Sequence, residues 1–327
     1  MDRRGAVGRE GLTGPAGATM APSRSGDGAG PGGATVSTPQ RDTLTGRDGL
    51  ELATYRWQPA GPVRGVVQLS HGMGEHLLRY APLADALTAD GFVVVGQDHR
   101  GHGASIRAGA EPGAIGSDGW RLLVADVGLL VEHTRAEHPG VPLVLLGHSM
   151  GSFAVQQLLL EHSADVDAAV LTGTAAIDPL GATVDPDAPL DLSAFNAPFE
   201  PARTAYDWLS RDEDQVDAYV ADPLCGFGLD AEASRAMFAG AVPLADPEQL
   251  AGMRPDLPLY YAVGDADPVN GQLALLTLLL DRYAGAGLTD VTGHVYPGAR
   301  HEVFNETNRD EVVDDLRTWL DRVVPRG

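Results

Sequence analysis

The 327-residue sequence predicts an α/β protein whose mostly parallel sheet is covered by helices on both faces and interrupted by an inserted helical cap. Three observations support this prediction. Short apolar, often β-branched runs alternate with segments of helical periodicity, which is typical of strands and crossover helices. The alternation stops over 177–256, a proline-rich stretch without a clear strand. One apolar run leads directly into the sequence G-H-S-M-G at 147–151, a strand–turn–helix pattern.

The individual elements follow from local pattern. The predicted strands are Thr43–Thr45, Leu50–Trp57, Arg64–Ser70, Phe92–Gly96, Val141–Leu146, Ala168–Thr172, Leu257–Val263 and Gly293–Tyr296. The first two flank the turn sequence Gly46–Gly49 and form a hairpin. The predicted helices are Tyr80–Ala89, Trp120–Glu137, Ser152–Glu161 and Glu302–Val324, with Asp212–Val220 and Ala231–Ala239 inside the interruption. In such sheets, ligands are expected at the carboxyl ends of the strands.

Composition changes along the chain predict three regions. Residues 1–40 are rich in Gly, Pro, Ala, Ser and Thr without periodicity, which predicts a disordered tail. Residues 41–176 and 257–327 are the predicted α/β core, and 177–256 are the predicted cap (lid) over the active-site end. We expect neither a membrane span nor a signal peptide, because no long apolar stretch occurs, and a cytoplasmic protein is the default.

The charge balance excludes some partners. The formal net charge is −22, which argues against nucleic acid and against adhesion to anionic membranes. The cap alone carries 16 acidic residues against four arginines, a balance of −12. We expect its negative potential to disfavour anionic substrates and to speed release of a fatty-acid anion. A single cysteine, Cys225, excludes an internal disulfide and a cysteine-rich metal cluster.

Ser149 is the candidate nucleophile. In G-x-S-x-G the turn is so tight that the flanking side chains must nearly vanish, and the serine is then exposed at the end of a strand. The pattern alone is weak evidence in a chain with 41 glycines, so the strand before it and the partners after it must support the prediction. A serine hydroxyl needs a base, and that base needs a third group to orient it.

The partners must follow in the chain order serine, acid, histidine. This order leaves His294 and His301 as bases. His294 lies inside a predicted strand, whereas His301 lies in a loop after one, so His301 is favoured. The acid must follow the strand Leu257–Val263, where spacing does not separate Asp265 from Asp267, and either can instead serve an Asx turn or a helix N-cap.

The oxyanion hole needs two backbone N–H groups. We expect one from Met150, which follows the nucleophile, and one from Met73 in the glycine-rich loop after the strand that ends at Ser70. The glycines of that loop are equally consistent with ordinary turn chemistry. His71 and His148 each stand beside a glycine at a strand end, which favours hydrogen bonds that orient the elbow over proton transfer.

Two further groups of residues have competing interpretations. Asp98, His99 and His102 resemble a metal set, but the flanking glycines and the absence of a further ligand cluster favour a structural turn. No metal or cofactor is predicted. The cap aromatics Phe195, Phe199 and Trp208, with their neighbours Tyr206, Leu209 and Tyr219, can line an acyl pocket or form the cap's own core, and both interpretations remain open.

Four segments in order resemble the monoacylglycerol lipase/lysophospholipase branch of the α/β-hydrolases, which is also classed with serine aminopeptidase-like hydrolases. They are HGMGEH at 71–76, QDHRGHG at 97–103, GHSMG at 147–151 and HEVFNE at 301–306. The resemblance covers residues 42–324 and implies a capped α/β-hydrolase fold and ester hydrolysis through an acyl-enzyme. It also places the acid at Asp267, the last position of a Gly-x-x-Asp motif. Tyr219–Leu224 resembles the end of the family's cap helix, but the rest of the cap matches least.

Together these observations predict a serine hydrolase with Ser149, Asp267 and His301 as its triad. The expected substrate is a small acyl ester, a monoacylglycerol or lysophospholipid-like single-chain lipid. A peptidase or amidase with the same triad is one alternative. A non-catalytic ligand-binding module is the other, although such proteins commonly lack a triad member. Chain length, head-group and oligomeric state are not predicted.

Overall fold

The computed structural model describes residues 37–182, 184–185 and 187–326. Its strands are β1 Gln40–Thr45, β2 Glu51–Trp57, β3 Gly65–Ser70, β4 Phe92–Gln97, β5 Leu143–His148, β6 Ala168–Thr172, β7 Leu259–Gly264 and β8 Val291–Tyr296. They form one sheet in the order β1-β2-β4-β3-β5-β6-β7-β8. The β1–β2 and β2–β4 pairs are antiparallel and all other pairs are parallel. The predicted mostly parallel sheet is therefore confirmed.

Helices connect these strands. They are α1 Ala81–Ala89, α2 Gly119–Glu137, α3 Met150–His162, α4 Asp178–Gly181, α5 Glu213–Ala221, α6 Ala231–Ala241, α7 Pro247–Leu250, α8 Ala274–Gly285 and α9 Arg309–Val323. Short 3₁₀ turns accompany them at Leu77–Tyr80, Gly103–Ser105, Ser163–Asp165, Leu192–Phe199, Asp207–Leu209, Val242–Ala245, Pro268–Asn270 and Val303–Asn305. Sequence periodicity did not predict α8.

Two predicted boundaries are wrong. The closing helix was expected from Glu302, but α9 begins at Arg309, after the separate turn Val303–Asn305. Glu306 is extended there, with ψ 164°, because its side chain accepts backbone N–H groups from outside the helix. The tail was expected to reach residue 40, yet Gln40 is already paired with Arg56 in β1. The rest of the predicted disordered tail, up to residue 36, lies outside the described residues.

The sheet separates two apolar layers. Neighbouring strand residues alternate between them: Leu143 and Leu145 pack with α2 and α3, whereas Val144 and Leu146 pack with α1 and α9. This alternation follows from the two-residue period of a strand, and it makes β5 apolar on both faces. Burial on both sides fixes the carboxyl end of β5, from which the elbow emerges.

The segment between β6 and β7 is helical, with no strand in its described part. Its side chains Trp208, Leu229 and Met237 belong to the same apolar cluster as α2 and α3. The assignment of 177–256 as a lid remains a prediction. No helix in the described ranges combines the length and hydropathy needed to cross a membrane.

Candidate active site

Ser149 occupies a strained backbone position at the end of β5. It has φ 51° and ψ −123° and directly precedes α3. A side chain at Gly151 would collide with the Ser70 carbonyl oxygen, and a Cβ at Gly147 would lie 2.6 Å from the Gly151 carbonyl oxygen. Positive φ in a residue other than glycine is uncommon, and it persists only where the surroundings fix it. Gly147 therefore allows β5 to lie against α3, and Gly151 allows α3 to lie against the end of β3, which together hold the serine in this conformation.

His301 and Asp267 form a buried pair. The distance from His301 Nδ1 to Asp267 Oδ2 is 2.9 Å, and the two residues are 2% and 1% exposed. The other oxygen of Asp267 accepts the Val269 N–H at 2.9 Å. This arrangement fixes the Nδ1–H tautomer of the imidazole and leaves Nε2 as the acceptor.

The structure places the four candidate side chains differently. Asp265 is exposed and accepts the Gly298 N–H at 2.6 Å, so it serves the turn after β8 rather than a histidine. His294 lies within β8 and contacts Asp315 at 3.0 Å near the surface. Asp267 and His301 alone, of these four side chains, border one another in the interior.

Burial and charge set the protonation of His301. Burial disfavours the imidazolium, but the charge of Asp267 and its hydrogen bond outweigh this effect and raise the pKa of His301 above its ordinary value. The neighbouring Asp267 carboxylate therefore favours the protonated form of this imidazole.

The other histidines near the elbow have the opposite shift. Burial lowers the pKa of His148 to about 4, and that of His102 to about 3. Burial also lowers the pKa of His71 and, further, that of His99. His148 Nδ1 lies 3.0 Å from Thr172 Oγ1 and His71 Nε2 accepts the His99 N–H at 2.9 Å. These neutral rings make orienting hydrogen bonds.

The loop after β3 lies directly against Ser149. A Cβ at Gly72 would approach the Ser149 Cβ to 3.2 Å. The Gly72 N–H donates to Glu75 Oε1 at 2.6 Å, so a buried carboxylate holds the loop in place. Met73 is half-buried beside the cavity, and Met150 begins α3, where backbone N–H groups lack acceptors within the helix. Met73, Met150 and Ser149 therefore border the same cavity, and the assignment of the two N–H groups as oxyanion donors stays a prediction.

An ion-pair bridge connects this loop to the histidine loop. Arg79 contacts Glu75 at 2.5 Å and Glu302 at 2.6 Å, and Tyr80 donates its hydroxyl to Glu75 at 2.7 Å. Burial disfavours the Glu75 carboxylate, yet the charge of Arg79 outweighs it and lowers the pKa of Glu75. Sequence reasoning missed this bridge. The available signal was the position of Glu75 in the HGMGEH segment.

Ser149 and His301 border the same cavity. Most of its wall is apolar, and the segment between β6 and β7 supplies much of it. Phe195 and Trp208 line it, and Trp208 also belongs to the apolar cluster, whereas the ring of Phe199 lies under the Arg300 guanidinium at 4.3 Å. The sequence did not indicate Met237 and Phe238 of α6, which also line it. Their position on the buried face of an amphipathic helix was the available signal.

Two groups of potential metal ligands are engaged in other contacts. Asp98 accepts hydrogen bonds from the Tyr55 hydroxyl and the N–H groups of Leu77 and Ala104 at 2.8–2.9 Å, as expected for a structural turn. In the described part of the chain, His76, Asp222 and Cys225 bring three ligand atoms within 4.8 Å of one another. His76 and Asp222 are hydrogen-bonded, and burial raises the pKa of the Cys225 thiol, which disfavours a metal ligand.

Known proteins share this architecture. The family described as "Serine aminopeptidase, S33" matches residues 61–308. A monoacylglycerol lipase of Mycolicibacterium smegmatis is 34% identical over 296 residues, covering 87% of this chain and 98% of the relative. The monoglyceride lipase of Homo sapiens is 30% identical over 298 residues, covering 87% and 92%.

Solved structures agree on the fold. A thermostable carboxyl esterase from Bacillus coagulans superposes with a TM-score of 0.78 at 24% identity, covering 88% of this chain and 99% of that one. A soluble variant of the monoglyceride lipase from Saccharomyces cerevisiae superposes with a TM-score of 0.69 at 20% identity, covering 91% and 99%.

The chain belongs to the serine aminopeptidase S33 family and has the α/β-hydrolase fold. Within that family it falls in the monoacylglycerol lipase branch, and it is a carboxylic ester hydrolase.

Proposed function

We propose that the protein hydrolyses single-chain acyl esters, monoacylglycerols or lysophospholipid-like lipids, through an acyl-enzyme on Ser149. The observation that carries the proposal is the convergence of a strained serine and a buried His301–Asp267 pair on one apolar cavity. The names of the M. smegmatis and human relatives support the same substrate class.

The proposed reaction uses each group in a defined role. Ser149 attacks the ester carbonyl while His301 Nε2 takes the hydroxyl proton, and Asp267 stabilises the resulting imidazolium. The N–H groups of Met73 and Met150 stabilise the tetrahedral oxyanion, each by about 3 kcal/mol. The imidazolium then protonates the leaving alcohol, and water repeats the sequence on the acyl-enzyme.

The cavity favours an acyl chain over a polar group. Apolar side chains from Phe153, Leu180 and Met237 surround the space beyond Ser149. The carboxylates on its wall, Glu75 and Glu302, are both paired with Arg79. An uncharged chain loses little hydration on entry, whereas a buried ion without a partner is costly.

Two measurements test the proposal. A fluorophosphonate is expected to label Ser149 in the wild type, and Ser149→Ala is expected to abolish labelling and to reduce ester hydrolysis at least about 10⁴-fold. A panel of glyceryl and p-nitrophenyl esters of increasing chain length, beside aminoacyl amides, defines the substrate. Faster turnover of the amides would favour the peptidase alternative, and an unlabelled Ser149 would favour the non-catalytic module.

A further inference from the structure

Trp208 covers one side of the proposed base. It lies in the turn Asp207–Leu209, between β6 and β7. Its ring centroid is 4.8 Å from that of His301, with 39° between the planes. Trp208 is 3% exposed, so almost no water reaches the contact. In the proposed reaction this imidazole becomes a cation each time it accepts a proton.

Several backbone hydrogen bonds hold the turn that carries the indole. The His301 N–H donates to the Trp208 carbonyl at 3.4 Å, and the Glu302 N–H donates to the Leu209 carbonyl at 2.8 Å. The backbone N–H of Trp208 donates to Asn196 Oδ1 at 2.9 Å. The turn that carries the indole and the loop that carries the imidazole are therefore joined through their backbones.

The chemistry of the indole suggests why this ring occupies the position. Trp208 Nε1 is buried without a hydrogen-bond partner among the described residues. Such a donor is costly, so an aliphatic residue would serve better if apolar cover were the only requirement. The face of an indole attracts a cation more strongly than any other side-chain ring does.

We propose that Trp208 is a positioning residue for the base: its indole holds the His301 imidazole toward Ser149 and stabilises the imidazolium that forms during acylation and deacylation. The inference rests on the proposed function, because Trp208 acts through His301. It assigns to the segment between β6 and β7 a role in the chemical step, beyond enclosing the substrate.

Four titratable side chains also face His301. The carboxylates of Asp267, Glu302 and Glu75 favour its charged form. The ring of His148, 4.8 Å away, is held neutral. All four groups remain in a Trp208 variant, so a change in pH dependence on substitution reports the indole itself.

The test measures the rate at which a fluorophosphonate labels Ser149 from pH 5 to pH 9. Trp208→Leu keeps apolar cover and removes the π face, whereas Trp208→Phe keeps a face and removes the N–H. We expect Trp208→Leu to slow labelling roughly 3- to 30-fold and to move the acid limb to lower pH, because the pKa of His301 falls. Trp208→Phe is expected to stay within about 3-fold of wild type, with its acid limb nearly unmoved.

Phe195→Leu is the matched control. Phe195 packs on Trp208 at 5.1 Å and borders the cavity, so its variant should leave the acid limb in place. The inference is overturned if Trp208→Leu keeps the wild-type acid limb or moves it upward. It is also overturned if Trp208→Phe loses as much rate as Trp208→Leu, which would assign the effect to the N–H.

The same experiment separates this inference from the proposed function. If wild-type Ser149 is labelled and the Trp208 variants behave as wild type, the positioning role fails alone. If wild-type Ser149 is not labelled, both fail. Circular dichroism shows whether each variant folds. If Trp208→Leu does not fold, the acid limb of Trp208→Phe decides. A shift of that limb to lower pH, as expected of Trp208→Leu, overturns the inference.

Discussion

The elbow that carries Ser149 and the loop that carries His301 are held by different means. The elbow is fixed by close backbone packing, because Gly147 lets β5 lie against α3 and Gly151 lets α3 lie against the Ser70 carbonyl at the end of β3. The histidine loop has no such local constraint. It is fixed by side chains: Asp267 and Trp208 come from other parts of the chain, and Glu306, within the loop, accepts the Arg300 N–H.

This difference shows how the site depends on the rest of the molecule. A local steric constraint is either satisfied or lost, so changes in the elbow should be severe and insensitive to distant substitutions. The loop is held by several separate contacts, so removing one of them should reduce activity by degrees.

The largest expected effect comes from breaking the elbow. In Gly151→Ala the new methyl group collides with the Ser70 carbonyl oxygen. We therefore expect the variant to misfold at the elbow and Ser149 to remain unlabelled. Gly285→Ala is the control, because a Cβ there has no neighbour within 4 Å. It should keep full labelling and gain up to about 1 kcal/mol of stability. A folded and active Gly151→Ala would contradict the local account of the elbow.

Removing the orienting carboxylate should have the next largest effect. Asp267→Asn reverses the preferred tautomer of His301, so kcat is expected to fall about 10³- to 10⁴-fold for a neutral ester. Asp265→Asn changes an exposed turn residue and should stay within about twofold, the range of an ordinary surface substitution. Equal losses in the two variants would mean that neither carboxylate orients the base.

Glu306 tests the support beneath the loop. It is fully buried and accepts the N–H groups of Arg211 at 3.1 Å and Arg300 at 2.8 Å. Glu306→Gln replaces an acceptor oxygen with a donor, so we expect a loss of about 2 kcal/mol in urea unfolding. Activity should fall about tenfold as the histidine loop loosens. Glu311→Gln, on the exposed face of α9, is the control and should change neither quantity.

Acid should lower the stability of the protein, because more buried histidines have a lowered pKa than a raised one. The pKa values of His71, His99, His102 and His148 are lowered, so the stability they provide is present above the unfolded value near 6.5 and lost as the pH falls. The pKa of His301 is raised, so its contribution is present below that value and lost as the pH rises. Because four such groups oppose one, the urea concentration at the unfolding midpoint should decrease as the pH is lowered from 7 to 5. His102→Gln should reduce this dependence, and an unchanged dependence would contradict the assignment.

The smallest expected effect comes from the negative charge of residues 177–256, the segment between β6 and β7. Residues 177–256 carry a balance of −12, so an ester with a carboxylate should react more slowly than its neutral analogue at low salt. Raising the ionic strength to about 1 M shortens the screening length to roughly 3 Å and should narrow the difference. The measurement is kcat/KM for the two esters at low and high salt. A preference for the anionic ester at low salt would exclude this effect.

The sequence predicted most of the sheet because apolar runs and glycine turns are local signals. All eight predicted strands have carboxyl ends within two residues of the observed ones, whereas β1 begins at Gln40, three residues before the predicted start at Thr43. The start of α9 could not be predicted this way, because Glu306 is held extended by backbone groups of Arg211 and Arg300. Helical periodicity carries no information about these side-chain hydrogen bonds, one of which reaches Arg211, 95 positions away.

The sequence by itself determined where Ser149 would stand, because φ, the flanking glycines and the end of a buried strand are all set within a few residues. It reduced the base and the acid to two candidates each, and the family resemblance then favoured Asp267. Only the tertiary structure decided that Asp267 meets His301 and that Trp208 covers the ring. Those contacts join residues 34 and 93 positions apart, and only the folded path of the chain brings such residues together.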